Sequence, residues 1–136
     1  MPEARMLVCR ILLVLPAVTL VLLFGYVGRI WKKLPDTVAS HFDAAGVPNG
    51  WSSKGFFVAL FLILASGVGA SIYTLIRIHR NSAPIGILYF VFVFVVWMFW
   101  LSLRANIQSA HLTGKTALPG AICGLAFAAL AAWSMR

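Results

Sequence analysis

The chain has 136 residues, of which 62% are hydrophobic and 10% charged, with three acids (Glu3, Asp36, Asp43) against eleven Lys and Arg, a net charge of +8. A soluble domain is usually about 45–50% apolar and about 25% charged. A water-soluble fold of this length would leave much of its apolar content on the surface, so the composition excludes one and indicates a single membrane domain spanning residues 1–136.

The first apolar run, about residues 7–30, has the length of a membrane span. Its basic start (Arg5, Arg10) resembles a signal peptide. Its apolar core, however, continues past Phe24 to Gly28 and meets no A-x-A-like cleavage site, so it reads as an uncleaved first helix. Pro16 is expected to kink it.

The connection that follows, residues 34–54, reads LPDTVASHFDAAGVPNGWSSK and holds two of the three acids. Val38–Phe42 alternates and is compatible with extended chain. Asp43 and Gly46 occupy the first and fourth positions favoured in a type I turn. Pro48 pushes Val47 toward an extended conformation. Asn49-Gly50 suggests a second tight turn, and Ser52 or Ser53 can cap a helix starting near Lys54. Trp51 is expected at the membrane interface. About 20 residues cannot bury a core of their own, so this ordered loop must pack on the helix ends or on a partner.

Three more apolar runs follow, at about residues 56–76, 85–103 and 118–135, each long enough to span. The second carries small residues at helical spacing (Ala65 and Gly69, Ser66 and Ala70, Gly67 and Ser71). The third is rich in aromatics, from Tyr89 to Trp100, and reads as largely lipid-facing, with Trp97, Trp100 and Arg104 near an interface. In the fourth, Gly120, Gly124, Ala128 and Ala132 form a smooth ridge that allows close backbone approach. Packing of this ridge on the second helix is preferred over a homodimer through it. The expected fold class is therefore all-α: an integral membrane bundle of four transmembrane helices with an ordered loop between the first two.

The cations punctuate these runs rather than gathering on one face. That pattern fits lipid anchoring and excludes nucleic acid as a partner. An even number of spans places both termini on one side. Arg5, Arg10, Arg77, Arg80 and Arg136 then face that side, and Arg29, Lys32, Lys33, Lys54, Arg104 and Lys115 the other, nearly a draw. Cytoplasmic termini are favoured by Arg5 and Arg10 ahead of the first helix and by Arg77 and Arg80 at a very short connection.

The spacing Leu34-Pro35-x-x-Val38-x-x-His41-Phe42-Asp43-x-x-Gly46-x-Pro48-Asn49, with Lys54 five residues on, resembles a known family. It is similar to the domain of unknown function (1648) at the N-terminal end of SdpI-type immunity proteins, bacterial multi-pass membrane proteins. The resemblance covers this loop closely and the flanking helices by hydropathy. It implies a bacterial cell membrane location and a role in self-protection against a secreted toxic peptide or in sequestering a repressor at the membrane. The chain departs from the pattern at Ala39, where the family often has Pro, and at Asn49, where it often has Asp. The Asp would offer Lys54 a partner. A second sequence block found in longer members is absent.

The leading expectation is a non-enzymatic binding protein. Trp51 and Phe42 would contact a peptide or another membrane protein, while Pro35, Asp36, His41, Asp43, Gly46, Pro48, Asn49 and Lys54 shape the loop. One alternative is a metal-dependent membrane enzyme using Asp36, His41, Asp43 and His111, two His and two carboxylates on one side of the membrane. Against it, no H-E-x-x-H or paired-Cys spacing occurs, and turn chemistry accounts for both Asp residues. His79, beside Arg77 and Arg80, is expected at lipid headgroups. A small transporter subunit is the other alternative, disfavoured because no ionisable group lies at a span centre. No P-loop, dinucleotide fingerprint or nucleophile elbow occurs, so no cofactor is expected. Cys9 and Cys123 read as apolar fillers.

Overall fold

A computed structural model describes residues 3–78, 82–108 and 114–134. Helix α1 runs from Glu3 to Ile30 and closes with a single 3-10 turn, Trp31–Lys33. Strands β1 (Thr37–Phe42) and β2 (Pro48–Ser53) form an antiparallel hairpin. Helices α2 (Lys54–Ile78), α3 (Ser82–Gln108) and α4 (Gly114–Ser134) follow. The four helices fall on the four apolar runs and outlast most of them by a few residues. The all-α expectation is corrected by the hairpin: loop residues 37–42 and 48–53 pair as strands because the turn between them brings two extended segments side by side.

Among the described residues, three helices are long and apolar enough to cross a membrane, and they identify a membrane protein. The apolar part of α4, Leu118–Ser134, is shorter. At 1.5 Å per residue it reaches about 26 Å, against a hydrocarbon core of about 30 Å. Many of the large apolar side chains on α1 and α2, among them Val21, Leu22, Phe24 and Ile63, point outward. Only hydrocarbon can cover such a surface without loss.

Two apolar clusters hold the helices together. At the end away from the hairpin, Leu12, Ala65, Ile72, Ile76, Ile85, Tyr89, Phe92 and Ala131 interlock α1 through α4. At the hairpin end, Leu23, Val27 and Ile30 of α1 meet Phe57 and Val58 of α2 and Phe99 and Leu103 of α3. Within the first cluster a proline sets up a specific contact. Pro16 lacks an N–H, so the Leu12 carbonyl four residues back loses its helical donor. The buried Tyr89 hydroxyl of α3 donates to that carbonyl.

Helix α3 is the most buried of the three long helices, which corrects the lipid-facing expectation. Its aromatic girth is the reason. Phe99 stacks on Phe61 at 4.8 Å, and Tyr89, Phe92 and Phe99 fill the space between the other helices. Small residues on α4 accept what remains. A Cβ added at Gly120 would fall inside the Trp97 indole, and one at Gly124 would lie 2.9 Å from Phe90 Cδ2. Conversely, Gly86 lets the Ala128 carbonyl oxygen approach within 3.1 Å of where its own Cβ would be. The Gly120–Gly124 ridge thus packs on α3 rather than on α2. Bulky rings need smooth partners, and α2 spends its small residues Ala65 and Gly69 elsewhere, Gly69 facing Pro16 of α1. Both ridge glycines are buried by this contact.

Candidate functional site: the hairpin at the helix ends

The hairpin is built outward from one turn. The Asp43 carbonyl accepts from Gly46 N–H at 2.9 Å, and the Val47 carbonyl accepts from Asp43 N–H at 2.9 Å. Asp43 Oδ1 accepts from the N–H groups of Ala45 (2.9 Å) and Val47 (2.8 Å), so a carboxylate holds the loop closed from inside. Gly46 adopts φ 79°, a region open to glycine at no steric cost. The turn expected at Asp43–Gly46 is present. The second turn expected at Asn49-Gly50 is not, because both residues lie within β2. Gly50 serves a different need. It faces His41 across the ladder, and an added Cβ would meet the His41 ring at 3.0 Å.

The ladder pairs Thr37 with Ser53, Val38 with Ser52 and Ala39 with Trp51, then His41 with Gly50 and Phe42 with Pro48. Ser40 on β1 and Asn49 on β2 are each extra residues, so a bulge on one strand is offset by one on the other. Pro48 sits at the first residue of its strand, where the lack of a donor is tolerated.

A two-stranded hairpin is marginal by itself in water. Three attachments tie this one to the bundle. Leu34 and Val38, 3% and 1% exposed, insert into the cluster at the helix ends, worth about 1.5–3 kcal/mol each. Asn106 of α3 then grips the edge of β1. Its Oδ1 accepts from Ala39 N–H at 2.7 Å, and its Nδ2 donates to the Ala39 carbonyl at 3.1 Å and to the Ser102 carbonyl at 2.8 Å. One side chain thereby stands in for a third strand. Lastly, Lys54 closes the base. Its ammonium lies 2.8 Å from Asp36 Oδ1, donates to the Leu34 carbonyl at 3.5 Å and stands over the Trp31 ring at 5.3 Å. The Lys54 N–H donates to the Asp36 carbonyl at 2.9 Å, and Ser53 Oγ caps α2 by accepting from Phe56 N–H at 3.3 Å. The Lys54 hydrogen bond, and then its charge, hold the Asp36 carboxyl below its ordinary pKa. The partner of Lys54 is therefore Asp36, and the Asn49 position takes no part in that pair.

Among the described residues, the proposed metal ligands Asp36, His41 and Asp43 do not converge. Asp36 is held by Lys54 and Asp43 by its own turn, while His41 Nδ1 lies 3.1 Å from Ser40 Oγ. Among the described residues no three His, Cys, Asp or Glu side chains come together. His111 and His79 lie outside the described residues, as do Arg80 and Arg136. Cys9 and Cys123 are free thiols.

What the hairpin does bring together is a cavity of about 430 Å³ between its face and the first turns of α2. Ser40, His41, Trp51 and Ser52 line one wall, and Phe56, Phe57, Leu60 and Phe61 the other. Trp51 is 61% exposed at this wall, and Phe42 is half-buried nearer the turn. The Ser52 hydroxyl is buried with no hydrogen-bond partner among the described residues. Asn106 and the aromatic wall of α2 did not stand out in the sequence, and Ser52 stood out only as one of two candidates for the cap that Ser53 forms. An Asn late in an apolar helix was the one available signal, because a polar amide there needs a partner.

Residues 12–65 match the family model described as "Domain of unknown function (DUF1648)". The match takes in most of α1, the whole hairpin and the first half of α2, and it ends before α3. No curated protein and no solved structure matches the chain.

Proposed function

We propose that the chain is a non-enzymatic binding protein of a bacterial plasma membrane, crossing it four times with both termini in the cytoplasm, and that its hairpin captures a peptide or a segment of another membrane protein. The cavity under Trp51 supports this reading most directly. It pairs an exposed indole with an aromatic wall and with a buried Ser52 hydroxyl that has no partner among the described residues. Leaving such a hydroxyl unmatched costs about 1–3 kcal/mol, which a bound main chain would recover. The attachments through Leu34, Val38, Asn106 and Lys54 support it too, since a preorganised hairpin loses little entropy on binding.

Capture by occupancy fits the toxic-peptide immunity that the loop's resemblance implies. The test is expression of the chain in bacteria sensitive to a secreted toxic peptide of that kind, with binding of the same peptide followed by tryptophan fluorescence of the purified protein. Protection and binding are expected together, with Trp51→Ala weakening binding at least tenfold, a typical loss for an aromatic anchor. Unchanged killing would count against immunity. Binding indifferent to Trp51→Ala and Ser52→Val would count against the cavity as the capture site.

A further inference from the structure

Near the hairpin end of α1 and α3 lies a second cavity, of about 350 Å³, lined by Arg29, Lys33 and Arg104 together with Tyr26, Ile107 and Gln108. Three cations meet there, and the chain has few carboxylates to answer them. Asp36 is engaged by Lys54, and Asp43 is turned into its own loop. Glu3 stands at the other end of α1, about 39 Å from Arg29 along the helix axis. The carbonyl ends of α1 and α3 supply only about half an elementary charge each, against three full positive charges. The Trp100 ring under Arg104, at 4.9 Å, gives that guanidinium a platform but no counter-charge.

This basic cavity adjoins an apolar one. Tyr26 lines both, and Trp100, beneath Arg104, lines the second. The second cavity, about 480 Å³, descends between α1, α3 and α4 along Leu22, Leu23, Val96 and Phe127. A cationic mouth at the end of the helices above an apolar cleft beside them matches an anionic amphiphile in both parts. A free anion would use only the mouth, and a zwitterionic lipid would gain little from three cations that have no carboxylate partner among the described residues.

We propose that Arg29, Lys33 and Arg104 hold the phosphate headgroup of an anionic phospholipid, with an acyl chain lying in the cleft between α1, α3 and α4. This site is separate from the Trp51 cavity and does not depend on peptide capture. Basic pockets between membrane helices are suited to such headgroups, because each cation near an anionic lipid strengthens binding about fivefold.

The experiment is titration of the purified full chain in detergent with phosphatidylglycerol, phosphatidylcholine or inorganic phosphate, read by native mass spectrometry and by the thermal unfolding midpoint. Phosphatidylglycerol is expected to bind at least tenfold more tightly than phosphatidylcholine and to raise the midpoint. Arg29→Gln, Lys33→Gln and Arg104→Gln should each weaken it about fivefold. Lys32→Gln, which removes an exposed cation outside the cavity, should leave it unchanged. Unaltered phosphatidylcholine binding shows that a variant is still folded. Equal binding of the two lipids would overturn the proposal. So would an equal midpoint rise with inorganic phosphate alone, or a Lys32→Gln loss matching that of the lining cations.

Discussion

At the scale of single residues, two polar side chains decide whether residues 34–54 form a platform or a loose loop. Asn106 works by geometry: a planar amide offers a donor and an acceptor at the spacing of a neighbouring strand, and both are used on Ala39. Lys54 works by charge and position, joining the start of the hairpin to its end through Asp36 and Leu34. The Asp36–Lys54 pair, an exposed carboxylate on a half-buried ammonium, has a pH signature. Because the folded-state pKa of Asp36 is lowered, its contribution is complete above the unfolded carboxylate value and is lost as pH falls through the folded one. The protection of the hairpin-base amides relative to their intrinsic exchange rates should therefore fall only in acid, and Asp36→Asn should show the lower protection at neutral pH with the acid step abolished. An acid step that survives in Asp36→Asn would assign the effect to another group. Asp43 and Gly46 were legible in the sequence because turn chemistry is local. Asn106 was not, because its role depends on a partner 67 positions away.

At the scale of elements, each helix is shaped by a defect in its neighbour. Pro16 opens the backbone of α1 at Leu12, and Tyr89 of α3 closes it. Tyr89→Phe should cost about 0.6–2 kcal/mol, the range for hydrogen bonds between membrane helices. In a Pro16→Ala background, residue 16 regains an N–H for the Leu12 carbonyl, and the Tyr89→Phe penalty should fall to near zero. A double-mutant cycle in denaturant unfolding checks this, and additive penalties would show that the hydroxyl serves another purpose. The helices themselves followed from hydropathy and length, whereas their neighbours did not. The Gly120–Gly124 ridge announced a close contact, but sequence spacing is the same whichever helix it meets. The volume of Trp97 and Phe90 assigned it to α3.

At the scale of the whole molecule, the segment matching the family, residues 12–65, is a helix, a hairpin and a helix whose core is finished by something beyond it. Phe99 and Leu103 of α3 complete the cluster that takes up Leu34 and Val38, and Asn106 fixes the strand edge. The hairpin is thus coupled to the bundle through α3. Asn106→Leu should leave two buried Ala39 backbone groups unpaired, at about 1–3 kcal/mol each. Exchange at Ala39 should rise sharply while the α1–α2 amides stay protected, and unchanged exchange at Ala39 would mean that Leu34 and Val38 suffice. From the sequence alone came the membrane class, the four helical segments and the polar loop that carries two of the three acids, because composition and periodicity are properties of the chain itself. The spread of the +8 along the chain carries the expectation of lipid anchoring. Only the tertiary structure decided that the loop is a hairpin, that α3 is the centre of the bundle, and that Arg29, Lys33 and Arg104 meet over an apolar cleft. Contacts between distant residues depend on which surfaces fit, and fit is fixed by shape and unpaired charge in three dimensions.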